Sequence, residues 1–186
     1  MSELEHIEQL LRDQPHKPPL ERWQPALSGA IDIRIDRRGD WYHEGTKIAR
    51  QPLVNLFASI LRREADGEYY LVTPVEKWRI TVEETPLIAI DMEIGAAADP
   101  AQRIVFRLNT SELVALDAEH PLQLVSQKGD AQPLPQLSLA HGLSAKPTTA
   151  LYYRMVDAAE ERDGQLMLRS AGTWFALGPY SDGASE

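Results

Sequence analysis

The sequence predicts an α+β fold in which a strand-turn-strand, helix and β-hairpin motif occurs twice and the sheets are mostly antiparallel. Apolar residues alternate strictly in Ile31-Asp32-Ile33-Arg34-Ile35, the period of a half-buried strand. They recur at helical spacing in Leu53, Leu56, Phe57, Ile60 and Leu61. A Gly-Asp turn, a helix and an Asp-Gly turn then follow in the same order in both halves.

The first element is a helix opened by a Ser2/Glu5 capping box, with Leu4, Ile7, Leu10 and Leu11 on one face. Pro15, Pro18 and Pro19 stop it and lead into an extended linker. After the Ile31–Ile35 strand, Arg38-Gly39-Asp40 supplies a hairpin turn and Trp41-Tyr42 begins the return. Pro52 suits the first turn of the next helix, which Asp66-Gly67 ends. Strands follow at 69–73, 78–82, 88–94 and 103–108, and no helices intervene, so they meander antiparallel.

The second half repeats this order. Leu122–Val125 precedes Lys128-Gly129-Asp130, and a strand at 136–140 leads to a helix bearing Leu151, Tyr152, Met155, Val156 and Ala159. Asp163-Gly164 ends that helix, and a hairpin turns at Ala171-Gly172. Gly39 and Gly67 are 28 residues apart and Gly129 and Gly164 are 35 apart, so the duplication is old. The expected divisions are an N-terminal helix and linker (1–28), a first lobe (29–117), a second related lobe (118–180) and a tail (181–186).

The chain's 186 residues bury roughly 70% of the unfolded surface, enough for a core without staples. With no cysteine there is no disulfide, thiolate nucleophile or cysteine-bound zinc. The N-terminal residues lack an unbroken apolar run and no stretch is apolar enough to span a membrane, which predicts a cytoplasmic location. A net charge of −9 disfavours phosphate backbones. A local basic patch at Arg34, Arg37, Arg38, Lys47 and Arg50 keeps nucleic-acid binding as an alternative. No phosphate loop, dinucleotide fingerprint, nucleophile elbow or zincin motif occurs, and the five histidines lack metal-ligand spacing. Neither a metal nor a cofactor is expected.

Eight residues form the expected ligand site. Trp41, Tyr42 and Arg50 flank the first helix, and Thr73, Glu76 and Lys77 lie where Pro74 forces the chain out of a strand. Asn109 and Ser170 join them from later turns. The aromatics supply apolar contact, Arg50 and Lys77 pair an anionic group, and Glu76 orients them. Plain roles are open to the same residues: core packing for Trp41, and solvated turns for Thr73–Lys77, Asn109 and Ser170.

Gly29–Ile35, Gly39–Ile48 with Arg50 and Pro52-Leu53, and Asp66–Lys77 together resemble a bacterial domain-of-unknown-function family, number 1285. The resemblance runs from about Gly29 to Gly178. It implies a duplicated fold with a C-terminal half superficially like pleckstrin-homology domains. It also implies a binding site where the halves meet, a role in signal transduction and no enzymatic activity.

The leading expectation is therefore a non-enzymatic module that recognises a protein or small molecule between its lobes. A second reading is an enzyme using Glu76 or Asp40 as general base near Lys77. A third is a homo-oligomer pairing through an exposed strand at Leu87 to Ile94, which only its acids guard.

Overall fold

The computed structural model describes residues 16–180 apart from 98 and 128. The expected N-terminal helix with its Ser2/Glu5 box, the tail at 181–186 and Lys128 lie outside the described residues.

The fold is mixed α+β. Strands β1 (Leu27–Ile35), β2 (Trp41–His43) and β3 (Thr46–Lys47) form one meander, and helix α1 (Gln51–Ser59) follows. A second meander of β4 (Leu61–Arg63), β5 (Tyr69–Val72) and β6 (Lys77–Val82) closes a six-stranded sheet of order β3-β2-β1-β6-β5-β4. Its central pair, β1 and β6, is parallel and every other pair is antiparallel.

Six further strands repeat this arrangement. They are β7 (Leu87–Gly95), β8 (Arg103–Leu108), β9 (Leu113–Ala115), β10 (Leu122–Val125), β11 (Leu134–Ser138) and β12 (Ser144–Pro147). Their order is β10-β11-β12-β7-β8-β9, again with one parallel pair, β12 and β7, at the centre. Helix α2 (Thr149–Asp157) then leads to a three-stranded sheet of β13 (Glu160–Arg162), β14 (Gln165–Ser170) and β15 (Thr173–Pro179).

The duplicated unit is visible within this plan. In both halves a helix is followed by a short strand, an Asp-Gly turn and two longer strands. Asp66-Gly67 and Asp163-Gly164 accordingly close the hairpins β4–β5 and β13–β14 rather than ending the helices. Both glycines adopt positive φ, 82° and 77°, where a Cβ would clash with its own backbone.

The sheets divide the chain earlier than the expected boundary at 117/118. Strands β7 to β9, assigned by sequence to the first lobe, are hydrogen-bonded to β12 and complete the second domain. Alternation marks β7 and β8 as strands but carries no information about which sheet accepts them. The expected exposed strand at Leu87 to Ile94 lies between β12 and β8: β12 covers one edge at Leu87–Ala89, and β8 pairs the other from Ala89 to Gly95. A bulge between Ala89 and Asp91 breaks its predicted alternation and turns Ile90 outward, 44% exposed. Arg154 of α2 straps this bulge, pairing with Asp91 and donating to the Met92 carbonyl at 2.9 Å.

One apolar core runs through both domains. Ile33, Ile35, Trp41 and Leu61 of the first sheet join Leu87, Ile104, Phe106 and Leu108 of the second. Trp41 stacks on Phe57 of α1 with ring centroids 6.1 Å apart. The domains touch where side chains are absent. A Cβ on Gly39 would lie 2.6 Å from Ile88 and 2.7 Å from the Asn109 amide, and one on Gly142 would lie 2.9 Å from the Arg63 carbonyl oxygen.

These contacts set a testable difference. Gly164→Ala, at positive φ with nothing within 4 Å, carries only the backbone cost of about 1 kcal/mol. Gly39→Ala and Gly142→Ala add overpacking of about 1–3 kcal/mol at the domain junction. Urea unfolding should therefore rank both below Gly164→Ala; equal midpoints would show that the junction yields freely.

Candidate functional site

A cleft of about 750 Å³ opens between the two domains. Helix α1 supplies one wall. Pro52, Asn55, Leu56 and Ser59 fall on one helical face and look into it, while Val54 is buried and Phe57 packs on the core. Leu56, expected in the core stripe, is instead 57% exposed, because the helix stops at Ser59 and its core face is taken by Val54 and Phe57.

The second domain supplies the opposite wall from two turns. Thr110, Ser111 and Glu112 join β8 to β9, and Leu139, Ala140 and His141 precede β12. Ser111 and His141 adopt positive φ, 68° and 59°, which are strained positions for these residue types. The segment His16, Lys17 and Pro18, with Leu20 at the start of a 3-10 turn, completes the rim, and Leu61, Leu87 and Leu143 line the interior.

The polar groups are unevenly signed. Among the described residues lining the cleft, Glu112 is the one carboxylate, and Lys17 pairs with it. Three of the five histidines, His16, His120 and His141, also line it. Burial depresses the His141 imidazole; Glu21 opposes this, and Lys17 and Arg62 reinforce it. His120 Nδ1 lies 3.3 Å from Asp117 Oδ1. Among the described residues no group of three His, Cys, Asp or Glu is placed to hold a metal ion.

The rim segment is anchored by a charge cluster beneath it. Arg62, buried, donates to the carbonyls of Leu20 at 3.1 Å and Trp23 at 2.9 Å, and to Glu64 at 2.6 Å. Lys77 donates to the same Glu64 carboxylate at 3.0 and 3.2 Å and sits 4.9 Å from the Tyr70 ring centre. Burial pushes the Glu64 carboxyl up, but the bonds from Lys77 and Arg62 outweigh it and hold it below the ordinary range. The bond to Asp66 pushes the Tyr70 phenol up to about 12.

None of the eight residues expected from sequence lines the cleft. Trp41 is core, and Tyr42 packs under the Arg34 guanidinium and donates to Asp36 at 3.3 Å. Arg50 is exposed at the N-cap of α1. Thr73 Oγ1 accepts from the Glu76 N–H at 3.0 Å, a local turn, and Ser170 Oγ accepts from the Ile104 N–H at 2.9 Å inside the core. Asn109 bridges the domains: its amide accepts from Ile88 N–H at 3.1 Å and donates to the Gly39 carbonyl at 3.3 Å.

The alternatives change too. Lys77 is engaged by Glu64, Glu76 is exposed and accepts from the Trp78 indole at 3.4 Å, and Asp40 pairs with Lys47 at 2.9 Å. The carboxylate that Lys77 meets is thus that of Glu64, not those of Glu76 or Asp40. In the basic patch Arg34 bonds Glu83 at 2.6 Å and Lys47 is held by Asp40, so acids interleave its cations. No helix of the described residues is long and apolar enough to cross a membrane.

The profile described as "Domain of unknown function (DUF1285), N-terminal domain" matches residues 18–85, and that of the DUF1285 C-terminal domain matches residues 86–177. The chain belongs to the DUF1285 family. The two profiles meet in the link between β6 and β7, where the sheets also divide. The crystal structure of a DUF1285 family protein from Silicibacter pomeroyi DSS-3 is 33% identical, with a TM-score of 0.82 over 93% of this chain and 94% of that one. A DUF1285 protein from Shewanella baltica OS155 is 31% identical, with a TM-score of 0.54 over 69% of this chain and 92% of that one. No curated protein matches the chain.

The charge cluster gives this DUF1285 chain a defined acid response. Glu64 titrates lower when folded, so its contribution is present above the ordinary value of 4.5 and is lost as pH falls through the depressed folded value. Glu64→Gln should flatten the fall in stability over that acid range, measured by urea unfolding against pH. Arg62→Ala should cost about 3 kcal/mol at neutral pH, because Glu64 and two carbonyls lose their buried donor.

Proposed function

We propose that this DUF1285 chain is a non-enzymatic binding module that takes up a small molecule or a protein segment in the cleft between its domains. The observation that carries the reading is the cleft itself. Its volume of about 750 Å³ falls in the usual range for ligand sites. Leucines line it, polar groups from both domains rim it, and the rim segment is anchored rather than loose.

A cytoplasmic location and a role in signal transduction belong to the same proposal. A guest touching both domains would stabilise one relative placement of them, which a downstream protein can read.

Leu56 offers the test, since its exposure lets it be changed with little effect on stability. Native mass spectrometry of chain incubated with a metabolite extract should show bound species on the wild type and on Arg50→Ala. The same species should be at least about tenfold depleted on Leu56→Glu, which places a charge on the apolar wall. Identical spectra for all three proteins would remove the cleft from the proposal.

A further inference from the structure

We infer that the cleft carries its own competitor: residues 1–15 of this same chain seat their apolar side chains against Leu56 and hold the cleft until a guest displaces them. The inference rests on the binding reading above and adds a regulator to that site.

The point where this segment joins the fold is fixed. Residues 1–15 lie outside the described residues, and His16, Lys17 and Pro18, which continue them, lie on the cleft rim. Lys17 is tied to Glu112 of the second domain, and Arg62 of the first domain holds the carbonyls of Leu20 and Trp23. Asp13 is three residues from His16 and so stays within about 11 Å of the rim.

The segment needs an apolar surface, and the cleft has one. Leu4, Ile7, Leu10 and Leu11 recur at helical spacing, and a helix this short is marginal in water without a surface to cover. Of the exposed large apolar residues among the described ones, Leu56 alone lines the cleft, and Leu61, Leu87 and Leu143 continue its wall inward. A helix from Ser2 to Asp13 would run about 18 Å, against about 14 Å for α1, so it can cover the wall that presents Leu56. The short tether raises the local concentration to about the millimolar range, so weak contact suffices. A guest competes with the segment, and its apparent affinity falls by the fraction of chains whose cleft is open.

The chain has no cysteine, so paired substitutions in the full-length protein report the contact directly. Under mild oxidation, Leu56→Cys combined with Ile7→Cys or Leu11→Cys should close an intrachain disulfide. Closure should be at least about tenfold faster than with Gln9→Cys, which falls on the opposite side of the helical spacing. Ile7→Cys and Leu11→Cys should not close onto Tyr153→Cys, which is exposed on α2 outside the cleft. In native mass spectrometry with the metabolite extract, full-length Ile7→Glu/Leu11→Glu should carry about fivefold more bound species than the wild type.

Equal closure from Gln9→Cys and Leu11→Cys, with equal bound species on the wild type and the glutamate variant, would overturn the inference and leave the cleft reading intact. A disulfide between chains rather than within one would make a second copy the occupant and overturn it too. Selective closure onto Leu56→Cys without bound species on any protein would make the cleft the segment's own seat, overturning the guest reading together with the competition.

Discussion

At Gly39 and Gly142 the two domains approach through space that a side chain would otherwise fill. Gly39 caps the β1–β2 hairpin at a φ of 82° and lies under Ile88 and Asn109 of the second domain. Gly142, at 72°, lets the turn before β12 lie against the Arg63 backbone on the outer strand β4. Few side chains other than none fit either place, because positive φ and a close neighbour act together. The two contacts join different elements, the β1–β2 turn to β7 and the turn before β12 to β4.

Energy and specificity come from different groups here. The core shared by both sheets supplies most of the attraction between domains, since each fully buried large apolar side chain is worth roughly 1.5–3 kcal/mol. Polar stitches such as Asn109 to Gly39, and Gln51 to the Asn109 carbonyl at 3.2 Å, contribute about 1 kcal/mol each. Their effect is to select one register among the many that apolar contact alone would accept. The Arg62–Glu64–Lys77 cluster does the same for the rim segment. Its charges are costly to bury, and they repay that cost only while Leu20 and Trp23 stay in place.

How much of this was legible in the sequence depends on whether local or distant residues decide a feature. The strands, both helices and the turns at Arg38-Gly39-Asp40, Asp66-Gly67 and Asp163-Gly164 are local matters, and alternation, spacing and turn residues mark them. The duplication was legible for the same reason. The short strands β3, β4, β9, β12 and β13 were not; in β4 Leu61 continues the helical spacing of α1, and in β13 Glu160-Glu161-Arg162 has no apolar alternation. A cleft between the halves was anticipated, yet the residues that line it were not. Aromatic and charged residues drew attention to Trp41, Tyr42 and Lys77, which packing and ion pairs consume. The cleft is lined by plain leucines and by histidines far apart in sequence. An exposed leucine on α1 is the one local clue, and exposure cannot be read from spacing alone.

The cleft also lies where the duplication ceases to be exact in form. In the first unit β1 and β6 pair and close the sheet; their counterparts β10 and β15 lie against each other but belong to separate sheets. The meander β7–β9 has instead been joined to β12, and it brings Leu87, Thr110 and Ser111 to the cleft. Helix α1 faces that wall, whereas α2 turns to β7 through Arg154 and contributes nothing to the lining. Two like domains thus present unlike surfaces to the space between them. A symmetric junction would offer two equivalent half-sites; this one offers a single cleft with an apolar helix wall on one side and polar turns on the other. Under the binding reading, that asymmetry dictates one guest in one orientation, and it arises from the unrepeated strands rather than from the repeated ones.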